Sequence, residues 1–162
     1  MASERERMSD FEAMKAAKVG HKFVDKFDEG LRFIVLRGPF HPCAYVGIPE
    51  DHPLAGYDYE ALPINAHGGL TYAAKGTGTY LPTGFYWYGW DYGHCDDYMI
   101  SDTHSESYAT VNETRTKWDA KSVESDSWTA LYDFRKLMKL AEEITRKAAS
   151  PVTADQEVRD GE

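Results

Sequence analysis

The chain has 162 residues, of which 42% are hydrophobic and 14% aromatic, and it carries a formal net charge of -9. This length suffices for one domain with a substantial core. The acidic balance argues against binding to bulk nucleic acid or to an anionic membrane, and the longest uncharged stretch, residues 76–90, is too rich in Gly, Pro and Thr for a membrane-spanning helix.

The two ends of the chain are polar. Residues 1–8 are highly charged and are expected to form a disordered leader, ahead of a single domain over residues 9–150. Ser9 and Glu12 fit a capping box, which would begin a short helix that stops at Gly20. Residues 151–162 are expected to form a disordered acidic tail.

The middle of the chain is β-rich. The predicted β-rich segments are, in chain order, residues 21–27, 31–36, 43–48, 64–72 and 85–90. Residues 73–84 form a Gly- and Thr-rich loop that would close a long hairpin, and loops of this length are often functional. Residues 101–115 are polar, which predicts an exposed segment with a short edge strand over 108–111.

A long C-terminal helix is predicted to begin after Asp126 or Ser127 and to end at Pro151. Its apolar residues at helical spacing are Trp128, Leu131, Tyr132 or Phe134, Met138, Ala141 and Ile144. The predicted fold class is therefore α+β: a mostly antiparallel sheet covered by the long C-terminal helix, with a short N-terminal helix.

Two glycine-flanked polar segments are the candidate functional site. The first places His67 before Gly68 and Gly69, whose N–H groups would form an anion-binding concavity beside the imidazole. The alternative is structural: His67 binds a loop carbonyl and the two glycines form a bulge.

The second segment spaces Asp91, His94 and Asp97 by three residues, so that on one helical turn or tight loop their side chains point the same way. With His67 as a fourth ligand, these groups would hold a divalent metal ion that activates water. No established metal motif such as H-E-x-x-H is present. The alternative is a polar site without metal or a structural network, in which Asp91 caps a helix that starts after Trp90.

Aromatic residues alternate along residues 85–90. Phe85 and Trp87 would lie in the core, while Tyr86 and Tyr88 would either offer a stacking surface for a base or pack under the C-terminal helix. The full predicted ligand-binding set is His67, Gly68, Gly69, Thr71, Tyr86, Tyr88, Asp91 and His94.

The sequence also carries a resemblance in three separate segments. Residues 43–54 (CAYVGIPEDHPL), 67–71 (HGGLT) and 89–97 (GWDYGHCDD) are similar, in the same order, to the runs CGYV.VPxxHPL, VHGGLT and GFDxAHxxD of a phage and prophage family of small proteins whose function is uncharacterised. The chain departs from these runs by its loop over 73–84, by Trp90 in place of Phe and by Gly93 in place of Ala. The resemblance implies a mobile-element origin and action in the cytoplasm of a bacterial host.

Two cysteines, Cys43 and Cys95, are too few for a disulfide scaffold and form no C-x-x-C pair, which also favours a reducing cytoplasm. We expect an accessory protein that binds a host small molecule, with a nucleotide among the candidates, or a host defence protein, to which its acidic surface would dock. One alternative is a small metal-dependent hydrolase in which His67, Asp91 and the two later motif residues are catalytic. The other is a structural accessory protein without a ligand.

Overall fold

The computed structural model describes residues 3–101 and 103–149. Its helices are α1 (Glu4–Ala16), α2 (Glu106–Asn112), α3 (Ala120–Asp126) and α4 (Trp128–Ala148), and its strands are β1 (Lys22–Asp28), β2 (Leu31–Arg37), β3 (Pro42–Pro49), β4 (Tyr72–Lys75) and β5 (Phe85–Asp91). A single turn of 3-10 helix, Tyr59–Ala61, precedes β4.

The strands form one sheet in the order β1-β2-β3-β5-β4, and every neighbouring pair is antiparallel. The predicted α+β class, the antiparallel sheet and the two flanking helices are confirmed. Within the described residues, no helix is both long and apolar enough to cross a membrane.

The two faces of the sheet differ in how they are covered. One face packs against α4 and carries the larger core, in which Phe33, Trp90 and Phe134 are buried. The other face, here called the open face, carries a smaller cluster of Ile34, Leu36, Leu81 and Trp87. Because both faces of β2 are covered, its residues are mostly apolar rather than alternating.

The face of α4 that packs on the sheet is narrower than predicted. Its buried residues are Ala130, Leu131, Phe134 and Met138. Trp128 and Ile144, both assigned to the buried stripe from their spacing, are 64% and 60% exposed. Ser127 is the N-terminal cap residue as predicted, but its hydroxyl donates to the Val123 carbonyl at 2.6 Å, because α3 runs directly into α4.

The predicted start of the N-terminal helix is wrong. The helix begins at Glu4 rather than after Ser9, so residues 4–8 are helical and Ser9 lies inside the helix instead of capping it. Glu, Arg and Met all have high helix propensity, which extends the helix towards the N-terminus. Pro151 and the tail over 151–162 lie outside the described residues.

Two central predictions also need correction. Residues 64–71 form a loop rather than a strand, and the hairpin consists of β4 and β5 with a loop over 76–84. The edge strand predicted over 108–111 is instead part of α2, because the Ser105 hydroxyl accepts the Tyr108 N–H and starts a helix there. Helix α3 was not predicted; it begins at a capping box formed by Asp119 and Ser122.

Candidate functional site

One buried carboxylate holds the two motif segments together. Asp97 is 3% exposed, and its Oδ2 accepts hydrogen bonds from His67 Nε2 at 2.8 Å and from the His94 backbone N–H at 3.0 Å. Its Oδ1 accepts a third hydrogen bond, from Trp118 Nε1 at 2.8 Å. Asp97 therefore joins the loop before β4, the turn after β5 and the segment before α3.

The imidazole of His67 lies against aromatic rings that sequence reasoning missed. It stacks on Tyr92, with 4.5 Å between ring centroids and 15° between ring planes, and Trp118 meets it edge-on at 5.1 Å. The Tyr92 hydroxyl donates to Asp126 Oδ2 at 2.9 Å and accepts from Trp90 Nε1 at 3.2 Å. Burial raises the pKa of Tyr92, which keeps this phenol protonated. The sequence could have indicated Tyr92, because this residue continues the alternation of buried aromatic side chains along β5.

The segment around Gly68 lies against His94, whose ring centroid is 5.4 Å from that of His67. Gly68 has a φ of 68°, and a Cβ at this position would collide with the His94 ring, so only glycine fits. His94 Nε2 is buried there without a hydrogen-bond partner among the described residues, 3.5 Å from Asp91 Oδ1. No helix follows Asp91, and the predicted cap is wrong: Asp91 Oδ1 accepts the Gly93 N–H at 3.1 Å and closes a turn.

The four candidate metal ligands do not assemble into a metal centre. Over residues 3–101 and 103–149, no group of three His, Cys, Asp or Glu side chains is placed to hold a metal ion. Both oxygens of Asp97 face N–H donors, and the Nε2 of His67 is used in one of those bonds. The geometry is that of a structural network that fixes three loops.

The predicted stacking surface of Tyr86 and Tyr88 is wrong. Tyr88 is fully buried under α4, with its ring centroid 5.6 Å from that of Phe134 and its hydroxyl donating to the Tyr57 carbonyl at 2.8 Å. Burial raises the pKa of Tyr88 to about 12. Tyr86 lines a shallow surface cleft beside Lys75, away from His67.

The other predicted ligand-binding residues shape the loop before β4. The Gly69 N–H donates to the Ala66 carbonyl, and the Thr71 N–H donates to the Gly89 carbonyl, both at 2.9 Å. These backbone groups are therefore occupied within the chain, and the anion-binding concavity predicted at Gly68 and Gly69 lacks one of its donors.

A different cleft lies on the open face of the sheet. Two adjoining cavities of about 220 Å³ and 240 Å³ share Leu36, Tyr45 and Tyr80 as lining residues. Tyr72, Thr77, Thr79 and Leu81 line the first cavity, and Val19, Gly20, Arg37, Gly38, Pro39 and Cys43 line the second. We call the two together the open-face cleft.

The loop over 76–84 forms one wall of the open-face cleft. Trp87 Nε1 donates to the Pro82 carbonyl at 2.9 Å, and the Gly78 N–H donates to the Leu81 carbonyl at 2.9 Å, so this loop has a defined shape. From it Tyr80, 51% exposed, reaches Gly20, where a Cβ would collide with the tyrosine ring. Tyr80 thus lines both cavities.

Among the described residues, Arg37 is the one side chain with a permanent charge that lines the open-face cleft. Arg37 is 6% exposed, and its guanidinium donates to backbone carbonyls, among them Met14 O at 2.9 Å and Gly38 O. Burial, with a smaller contribution from Asp91, raises the pKa of the Cys43 thiol to about 11, so the thiol is neutral at physiological pH. Sequence reasoning missed this cleft because its tyrosines come from three separate segments.

Comparison with known proteins adds no relative: no protein-family model, no curated protein and no solved structure matches the chain at a significant level. The resemblance to phage and prophage proteins stays a prediction from the three motifs. The function is therefore inferred from the geometry of the chain itself.

Proposed function

We propose that the protein binds a small planar molecule in the open-face cleft. The observation that carries the proposal is the pair of adjoining cavities that share Leu36, Tyr45 and Tyr80. Ligand sites are concave and mostly apolar or aromatic, with few polar groups, and this cleft has that composition. Tyrosine faces favour stacking against the ring of a ligand.

The size of the cleft favours a compound of one or two rings. Each cavity is about 220 or 240 Å³, below the ~300–1,000 Å³ typical of sites for drug-sized ligands. Because Tyr80 is one of the three residues that line both cavities and comes from a loop, a change of its rotamer would alter how the two cavities connect.

This proposal keeps the small-molecule branch of the prediction from sequence but assigns the ligand to other residues. The hydrolase alternative receives less support, because Asp97 is 3% exposed and accepts three hydrogen bonds within the chain. A general acid or base must reach substrate directly or through one water molecule. The network around His67 instead stabilises the loops, while a host protein partner remains a prediction.

Ligand-observed NMR with a panel of planar compounds (adenine, nicotinamide, indole and benzamide) tests the proposal. We expect at least one compound to bind, and Tyr72→Ala and Tyr80→Ala to weaken its binding about tenfold, since stacking on one aromatic side chain contributes ~1–3 kcal/mol. Tyr132→Ala is the matched control, because Tyr132 on α4 is 54% exposed, close to the 51% of Tyr80.

The cysteines provide a second readout. A compound in the cleft should slow alkylation of Cys43, which lines it, and leave exposed Cys95 unaffected. Binding that is unchanged in both cleft variants, or protection of neither cysteine, would contradict the proposal.

A further inference from the structure

A carboxylate lies on the open face, beside the Cys43 end of the open-face cleft. Asp91 is the last residue of β5 and pairs in register with Cys43 of β3, so both side chains lie on the open face. Cys43 lines the cleft, and Tyr45, two residues further along β3, forms its shared wall. The Asp91 carboxylate therefore adjoins the aromatic part of the cleft.

Within the part of the chain that the structure describes, Asp91 forms an ion pair only with His94, and only when that imidazole is protonated. Among the described residues, no lysine or arginine forms an ion pair with Asp91, and its Oδ2 accepts no hydrogen bond. Its Oδ1 accepts the Gly93 N–H, and the nearby His94 Nε2 at 3.5 Å lacks hydrogen-bond geometry. The Asp91 side chain is 29% exposed, so it is accessible to a ligand.

Among the described residues, Arg37 is the one lysine or arginine that lines the cleft, and it is unavailable to a ligand. Arg37 is 6% exposed and its guanidinium donates to the carbonyls of Met14, Lys15, Gly38 and Pro39. The Asp91 carboxylate is therefore an accessible negative charge beside the cleft. Two imidazole rings also lie near it: His41 Nδ1 is 3.6 Å from Cys43 Sγ, and His94 Nε2 is 3.5 Å from Asp91 Oδ1. Asp91 also contributes to the raised pKa of the Cys43 thiol, after the larger effect of burial. Its contribution to the raised pKa of Tyr45 is the smallest, after those of burial, Cys43 and Tyr72.

We infer, on the basis of the proposed function, that the ligand is an aromatic ring bearing a cationic amine or amidine, and that Asp91 selects it. A carboxylate with a free oxygen forms charge-assisted hydrogen bonds to such a group. The tyrosine walls add a cation–π attraction, and the net charge of -9 attracts cations over a longer range. Anionic ligands such as phosphate esters would meet repulsion at this end of the cleft.

Three probes of nearly equal size and different charge test the inference: benzamidine (cation), benzamide (neutral) and benzoate (anion). Their affinities are measured by NMR titration and by protection of Cys43 from alkylation. We expect benzamidine to bind about tenfold more tightly than benzamide, since a hydrogen bond to a charged partner is stronger than a neutral one, and benzoate to bind most weakly.

Variants then assign the selectivity. Asp91→Asn keeps an oxygen for the Gly93 N–H and should remove the preference for benzamidine. Asp96→Asn is the matched control, because it makes the same change of net charge at an exposed site in the same turn, and it should retain the preference. Asp91→Glu keeps the negative charge and should retain part of the preference for benzamidine. Circular dichroism checks that each variant is folded.

The outcomes separate this inference from the proposed function. If the three probes bind equally, if benzoate binds best, or if Asp91→Asn leaves the preference intact, the inference is overturned and binding in the cleft stands. If no probe binds and Cys43 is never protected, binding in the cleft itself is refuted, and the inference fails with it.

Discussion

Removing the carboxylate of Asp97 should strongly destabilise the fold. In Asp97→Ala, the N–H donors of His67, His94 and Trp118 lose a buried acceptor whose hydrogen bonds are 2.8, 3.0 and 2.8 Å long. One buried unsatisfied polar group costs about 1–3 kcal/mol, and a hydrogen bond to a charged group contributes about 1.5–3 kcal/mol. Because His67 is 24% exposed, water satisfies part of this loss, and we expect about 3–5 kcal/mol in total.

Equilibrium unfolding in urea, followed by tryptophan fluorescence and by circular dichroism, measures this free energy. Asp96→Ala is the matched control, since this exposed neighbour makes no side-chain contact of the same kind and should change stability by less than about 0.5 kcal/mol. Asp97→Asn should cost less than Asp97→Ala, because its amide oxygen can replace Oδ2, although its NH₂ group would then oppose the Trp118 N–H.

A double-mutant cycle with His67→Ala isolates the pair. If Asp97 stabilises the fold through His67, the two losses should be non-additive by about 0.5–3 kcal/mol. An Asp97→Ala variant as stable as Asp96→Ala would refute the structural role assigned to this carboxylate. Asp97 would then again be a candidate for ligand binding or catalysis.

Three further predictions concern titratable groups. At pH 8, iodoacetamide should modify exposed Cys95 much faster than Cys43, because the raised pKa of Cys43, about 11, leaves little thiolate. The rate at Cys43 should rise towards pH 11, and equal rates for the two cysteines at pH 8 would contradict the burial of Cys43. Burial raises the pKa of Tyr88 from 10.0 to about 12. The contribution of this phenol to stability is therefore complete below pH 10 and is lost as the pH rises towards 12, and an unfolding free energy that stays constant from about pH 9 to about pH 12 would contradict this. His52 Nδ1 accepts the Leu54 N–H at 3.0 Å, and its Nε2 lies 2.9 Å from Glu142 Oε1. In ¹⁵N NMR, the neutral His52 ring should therefore carry its proton on Nε2, and a proton on Nδ1 would contradict these two contacts.

Several elements could be predicted from the sequence because their signals are local. The run of β-favouring residues over 31–36 and the aromatic run over 85–90 specify extended backbone by themselves, and both are strands of the sheet. The long helix α4 follows from the spacing of its apolar residues. The α+β class then follows from combining these elements.

The contacts within the candidate site could not be predicted from local sequence patterns. Spacing alone drew attention to His67 and Asp97, and the tertiary structure brings them within 2.8 Å of each other. Their partner Trp118 lies 21 residues from Asp97 along the chain, and no periodic pattern connects these two positions. Which partners an isolated carboxylate has is decided by the packing of distant segments.

The chain by itself determined four of its five strands, its long helix and its acidic charge, since these depend on neighbouring residues. Only the tertiary structure decided that Tyr88 is buried under α4 while Tyr45 and Tyr72 line a cleft on the open face. All three lie on strands, but alternation along a strand separates its two faces without saying what covers each one. That choice depends on where α4 and the loop over 76–84 pack, and so on contacts between residues far apart in sequence.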